Sequence, residues 1–213
     1  MSWYPLLLAL APLVLLVTTS FVKVSVVLGF LRAGMGASQL LPASALMALA
    51  LTLSGVIMAP VLVETGRAAQ PWVAGREALM DAGWEQQAKA AQEVSAPWRA
   101  WLAKHSGPQE RALFVELRAP LDPPDERAWM ADPAGPLVVV PAFLLTELKE
   151  AFLIGFVLCV PFFALDVAVA VMLASLQLQG VSAGAVSLPC KLLLFLMLDG
   201  WSLLVRGLVL GYA

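Results

Sequence analysis

Hydrophobic and polar positions are not interleaved along this chain; they fall into long blocks. Four apolar stretches stand out. The first runs from Pro5 to Phe30 and is interrupted only by Lys23. The second, Leu40 to Val63, has 24 residues without a charge, enough for a membrane helix of about 20. The third, Leu137 to Leu165, contains Glu147, Lys149 and Glu150. The fourth follows Asp166 for the remaining 47 residues, broken by Lys191, Asp199 and Arg206, and is too long for one crossing. The Gly- and Ser-rich "QLQGVSAGAVSLP" (177–189) predicts the turn of a hairpin within it. Pro12, Pro42, Pro60, Pro141, Pro161 and Pro189 lie in or beside these stretches. A membrane accepts broken helices only where neighbours or water satisfy the freed backbone, so short, kinked helices are expected, not a simple four-span bundle.

Residues 64–136 are a different kind of sequence, with eight of the 13 Lys/Arg and 11 of the 15 Asp/Glu. Met80, Trp84, Ala88 and Ala91 recur at three- and four-residue spacing, as do Trp98, Trp101 and Leu102, which predicts helices. "SGPQ" (106–109) reads as a capping box with Ser106 as N-cap, opening a helix that would bury Leu113, Phe114 and Leu117. "LDPPDERAWMADPAGP" (121–136) has too many prolines for a helix and reads as a loop. The fold class that follows is an all-α membrane protein of kinked helices and helical hairpins with a small helical insertion. Its regions are N-terminal apolar helices (1–63), the insertion and loop (64–136), and C-terminal apolar hairpins (137–213). Arg32, in the short loop between the first two stretches, favours a cytoplasmic loop there and an extracytoplasmic insertion.

Composition strengthens the membrane reading. Of 213 residues, 61% are hydrophobic and only 13% charged, where soluble domains are about a quarter charged. A net charge of −2 gives no basic surface for nucleic acid. Residues 1–22 carry no charge and lack the basic region and clear cleavage site of a secretory signal, so a retained first helix is expected. Cys159 and Cys190 lie in apolar runs and read as small buried hydrophobes. His105 is the sole histidine, with no second ligand nearby, and reads as a surface residue; no metal or cofactor is expected. No phosphate loop or nucleophile elbow is present, so the sequence offers no support for an enzyme.

Candidate chemistry lies in the intramembrane charges Glu147, Lys149, Glu150, Asp166, Lys191 and Asp199. In "LPCKLLLFLMLDGW" (188–201), six Leu and one Phe contribute about −3 to −4 kcal/mol to insertion, against roughly +5 to +7 for one Lys and one Asp near mid-membrane. Such residues face a bundle interior, a partner or water. Two readings fit: a pathway for ions or substrate, or mutual neutralisation between packed helices. Lys191 and Asp199 are eight residues apart, about 12 Å of rise, so each needs a partner elsewhere, on another helix or another chain.

Four strings, "TSFVKVSVVLGFLRAGMG" (19–36), "LALTLSGVIMAP" (49–60), "VVVPAFLLTELKEAFLIGF" (138–156) and "VSLPCKLLLFLMLDGW" (186–201), resemble the FliP/SctR family in order and position. "APWRAWLAKHSGPQERALF" (96–114) resembles part of that family's extracytoplasmic insertion. The resemblance implies a core membrane subunit of the flagellar or virulence type III secretion export apparatus, in the bacterial inner membrane and crossing it several times. It implies a five-fold homo-oligomeric ring joined by FliQ/SctS-type and FliR/SctT-type subunits and other export apparatus proteins. Such a gate passes unfolded secreted proteins, and much of its apolar surface packs on other subunits, with lipid outside. Lys191 and Asp199 would then sit between protomers or toward an aqueous lumen. Flagellar members carry a methionine-rich pore loop where this chain has Gln177, Leu178, Gln179 and Gly180; Leu as plug and Gln as hydrogen-bonding ring could still narrow a pore. That departure leans toward a virulence-type system. The competing class is a secondary transporter or ion channel subunit using the buried charges. A transporter would show an internal repeat of interrupted helices, which is not found here.

Overall fold

The computed structural model describes residues 12, 14–36, 41–75, 83–118, 120, 135–178 and 180–213. Met80, Gln179 and most of the 121–136 loop lie outside these. Among the described residues, seven helices of eleven residues or more follow in order: α1 (Phe21–Met35), α2 (Ala43–Ala74), α3 (Trp84–His105), α4 (Pro108–Arg118), α5 (Pro136–Ser175), α6 (Ala183–Met197) and α7 (Gly200–Leu210). There is no strand among the described residues. α2 and α5 are each long and apolar enough to cross a membrane, and α6 with α7, bent by 61°, forms a broken third candidate. At 32 and 40 residues, α2 and α5 are not the short segments expected from the prolines, since Pro60, Pro71, Pro141 and Pro161 lie inside continuous helices. The change to polar composition at residue 64 also falls within α2.

The chain divides into two compact units, residues 1–19 with 56–146 and residues 20–55 with 147–213. In the first, Leu102 of α3 packs with Val139 and Phe143 of α5, flanked by Trp98 and Trp101. Residues 84–105 and 108–118 are helical as expected, but their buried positions differ from those expected. Trp84 is 76% exposed and Ala91 is exposed, while Ala90 and Leu102 are buried. Leu113 and Leu117 are exposed and Phe114 only partly covered; Glu110 is the buried residue of α4. The expected capping box is not formed: Ser106 Oγ donates to Ala103 O, and Arg111 N–H donates to Gly107 O, so Gly107 opens α4 without a side-chain cap. Gly107 N–H in turn donates to Thr146 Oγ1 at 2.8 Å, tying the α3–α4 turn to α5. His105 is half-buried against Trp101, ring centroids 4.9 Å apart, not the surface residue expected.

In the second unit, α1 is apolar on nearly every side and buries Lys23, Val24, Val27, Leu28, Leu31, Gly34 and Met35. It stops at Gly36, whose left-handed φ of 66° suits a residue without Cβ. α1 lies so close to α5 that a Cβ on Gly155 would stand 2.9 Å from Phe30 Cβ and nearer still to its ring. Gly34 approaches Cys159 and Phe162 in the same way. α5 ends in a Schellman motif: Leu178 N–H donates to Leu173 O and Gln177 N–H to Ala174 O, with Gln177 at φ 58° in the place glycine usually takes. The predicted hairpin turn between α5 and α6 is therefore present. The α6–α7 break centres on Asp199, also left-handed at φ 49°, a region Asp tolerates better than most residues.

Gly155→Ala is expected to cost about 1–3 kcal/mol through overpacking against Phe30. Gly29→Ala, on the exposed side of α1 with open space around it, is expected to be neutral or to stabilise by up to about 1 kcal/mol. Unfolding midpoints of the two variants in detergent check the contrast.

Candidate functional site

Of the charges in or beside the apolar stretches, five enter two ties, Asp199 stands apart at the α6–α7 bend, and Lys149 and Arg206 are exposed. The first tie forms on Lys23, one turn into α1 and 3% exposed. Its Nζ lies 3.2 Å from Glu147 Oε1 and 2.6 Å from Glu150 Oε2, both on α5. The two glutamates are three positions apart on the helix, so both face α1. Glu147 is 1% exposed; its second oxygen accepts a hydrogen bond from the Tyr212 hydroxyl, and the Tyr212 ring lies under the Lys23 ammonium, 4.2 Å from Nζ to centroid. Both oxygens of a buried carboxylate are thereby engaged, which is what makes its burial tolerable. Glu150 is half-exposed and Lys149 exposed.

The second tie forms on Lys191 of α6, buried at 5% exposure. Its Nζ donates to Asp166 Oδ2 of α5 at 2.6 Å and to Gly34 O at 3.0 Å. Gly34 lies in the last turn of α1, where carbonyls have no intrahelical partner and the helix dipole is negative. One ammonium thus neutralises a carboxylate and caps a helix. Lys191 finds its counter-charge on another helix of the same chain. Asp199 finds none: it is exposed at the α6–α7 bend, with no side-chain hydrogen bond or ion pair among the described residues. Of the loop residues, Gln177 terminates α5, Leu178 and Gly180 are exposed, and Gln179 lies outside the described residues.

Between α5, α6 and α7 runs an apolar groove of about 530 Å³, with Leu153, Val157 and Pro161 on one wall and Leu204 and Leu208 on another. The outer side of α5 is apolar as well, and Phe152, Phe156, Phe163 and Val167 are each more than half exposed. Among the described residues no His/Cys/Asp/Glu group could hold a metal. The sequence had marked Lys23 only as an interruption, although a lone charge in the first 31 residues was itself a signal that a counter-charge must exist. Tyr212 gave no signal.

This arrangement, apolar helices long enough to cross a membrane with the buried Lys23, Glu147 and Lys191 paired within the chain, defines an α-helical integral membrane protein and shows no catalytic constellation among the described residues. Residues 6–208 match the model of the FliP family. The chain is 38% identical to the hypersensitivity response secretion protein HrcR of Ralstonia nicotianae, over 96% of this chain and 92% of that protein. It is likewise 38% identical to the Yop proteins translocation protein R of Yersinia pestis, over 97% and 92% of the two chains. With the flagellar biosynthetic protein FliP of Caulobacter vibrioides it shares 37% identity, over 95% and 71%. The chain belongs to the FliP family.

The members of the first tie differ in exposure, and their removal should differ in cost. Lys23→Met strands Glu147 in the interior and is expected to cost about 3–5 kcal/mol. Glu150→Gln, at a half-exposed position, is expected to cost under about 1 kcal/mol. Thermal unfolding in detergent orders the two; equal midpoints would mean Glu147 does not depend on Lys23.

Proposed function

We propose that this chain is a structural, pore-forming subunit of a type III secretion export gate, passing unfolded proteins across the bacterial inner membrane. The observation that carries this is the FliP-family match along residues 6–208, with relatives named for secretion, translocation and flagellar biosynthesis. The subunit acts as a multi-pass scaffold, not an enzyme. Copies of it close into a homo-pentameric ring, joined by FliQ/SctS-type and FliR/SctT-type subunits. Closed cyclic symmetry is how repeated subunits enclose a pore. The exposed apolar side of α5 gives such neighbours, or lipid, a surface to cover. Residues 64–136 form the extracytoplasmic insertion between the apolar regions 1–63 and 137–213. The 177–180 loop, at the end of α5, is the candidate constriction, and Asp199 faces water or a neighbouring subunit.

A transporter or channel subunit would use the same charges to bind a coupling ion. Against that reading, Lys23, Glu147, Asp166 and Lys191 are already occupied with one another, and the sequence has no internal repeat.

Native mass spectrometry of the detergent-extracted protein, alone and then co-expressed with its FliQ/SctS-type and FliR/SctT-type neighbours, tests the proposal. A ring of about five copies that gains those neighbours is expected. A monomer or dimer indifferent to them would overturn it.

A further inference from the structure

α7 presents one buried stripe at four-residue spacing: Gly200, Leu204 and Leu208, continued past the helix end by Tyr212. The first three members are apolar or lack a side chain. Inside a membrane, such a stripe has little to gain from docking, because lipid tails are as apolar as leucine and supply no hydrophobic drive. Tyr212 differs. It is 8% exposed, its hydroxyl donates to a Glu147 oxygen, and its ring lies under the Lys23 ammonium. The other Glu147 oxygen is taken by Lys23 and the second nearby carboxylate, Glu150, by the same ammonium. Were α7 to swing away, Glu147 would keep its counter-charge but lose the donor on its other oxygen while still buried.

We propose that Tyr212 is a latch: through Glu147 and Lys23 it holds the C-terminal end of α7 against α1 and α5, and so sets the α7 wall of the apolar groove. Tyr212 is a positioning residue in this role. The groove closes at the bend through Phe195, whose ring covers Gly200 and stands edge-on to Trp201 at 5.2 Å. Its α7 wall runs on to Leu208, one turn before Tyr212. The inference concerns the folded chain itself and does not rest on the export reading.

The test uses full-length, detergent-extracted protein with Cys159→Ala and Cys190→Ala, and a water-soluble maleimide as probe. Leu208→Cys, at a 2% exposed position one turn before Tyr212, reports release of α7. Leu28→Cys, at a fully buried position of α1, reports loosening of the unit as a whole. Tyr212→Phe removes only the hydroxyl. It is expected to speed labelling at position 208 about tenfold, the loss of one hydrogen bond to a charged group, and to leave position 28 protected. Glu147→Leu is expected to speed labelling at 208 by a similar factor, and Tyr212→Phe added to it to have no further effect, since the hydroxyl acts through that carboxylate. Labelling at 208 unchanged by Tyr212→Phe, equal acceleration at 28, or multiplicative effects of the two substitutions would each overturn the latch.

Discussion

One ammonium group, that of Lys23, meets Glu147, Glu150 and the ring of Tyr212 at once, and the second unit is arranged around that meeting. The net stability of such a cluster is modest. Desolvating both ions offsets much of their attraction, and replacing a buried pair by apolar residues of similar volume is often neutral or stabilising. What the cluster imposes is alignment. Sliding α1 by one residue relative to α5 rotates it by about 100° and shifts it by about 1.5 Å, which takes the ammonium away from a carboxylate that is almost fully buried. Packing among Val24, Val27, Leu28 and Leu31 carries no comparable penalty for a wrong register, because lipid would receive those side chains equally well.

The second tie completes that alignment from the other end of the same helix. Lys23 stands near the start of α1, while Lys191 reaches the carbonyl of Gly34 in its last turn. Between these polar fixings, Gly155 against Phe30 and Gly34 against Cys159 bring α1 and α5 into close contact. Small residues where backbones approach and polar groups at the ends are how helices associate where the hydrophobic effect is weak. The apolar run thus carries charges for an internal reason: they select one arrangement among many that lipid would otherwise accept.

Much of this was legible from residue order. The later apolar blocks became α2, α5 and the α6–α7 pair, the end of the first became the start of α1 while most of its residues 5–13 lie outside the described ones, and the Gly/Ser-rich segment became the hairpin turn, because composition and period report burial in lipid or protein directly. Burial within the insertion was not legible. The spacing of Trp84, Ala88 and Ala91 gave a helix but the wrong buried face, since Trp84 is exposed and the helix turns Ala90 and Leu102 inward. The cap expected at Ser106 is not formed, because the competing donor–acceptor pair, Gly107 N–H with Thr146 Oγ1, spans 39 residues in sequence. The prolines misled about helix length for a related reason: breaks that a lone helix would suffer are absorbed by the packing around it. Charge partners were the least visible. Lys191 with Asp166 spans 25 residues and Glu147 with Tyr212 spans 65, distances at which local pattern carries no information.

Geometry along α5 shows why the pairing must be internal. Residues 151–165 separate the two ties and contain no charge, about 22 Å of helix at 1.5 Å per residue. A hydrocarbon layer is about 30 Å thick, so an ordinary bilayer reaches past at least one tie. An unpaired lysine or carboxylate there would carry an insertion cost that rises to about 2.5–3.5 kcal/mol at mid-membrane. Closing Lys23 on Glu147 and Lys191 on Asp166 within the chain removes that cost before any neighbour arrives, and it leaves α5 with an apolar outer side. Asp199, like the exposed Arg206 of α7, meets no counter-charge among the described residues. Its place at the bend between α6 and α7, exposed and left-handed, puts it where the span is already broken and where water or another subunit can meet it.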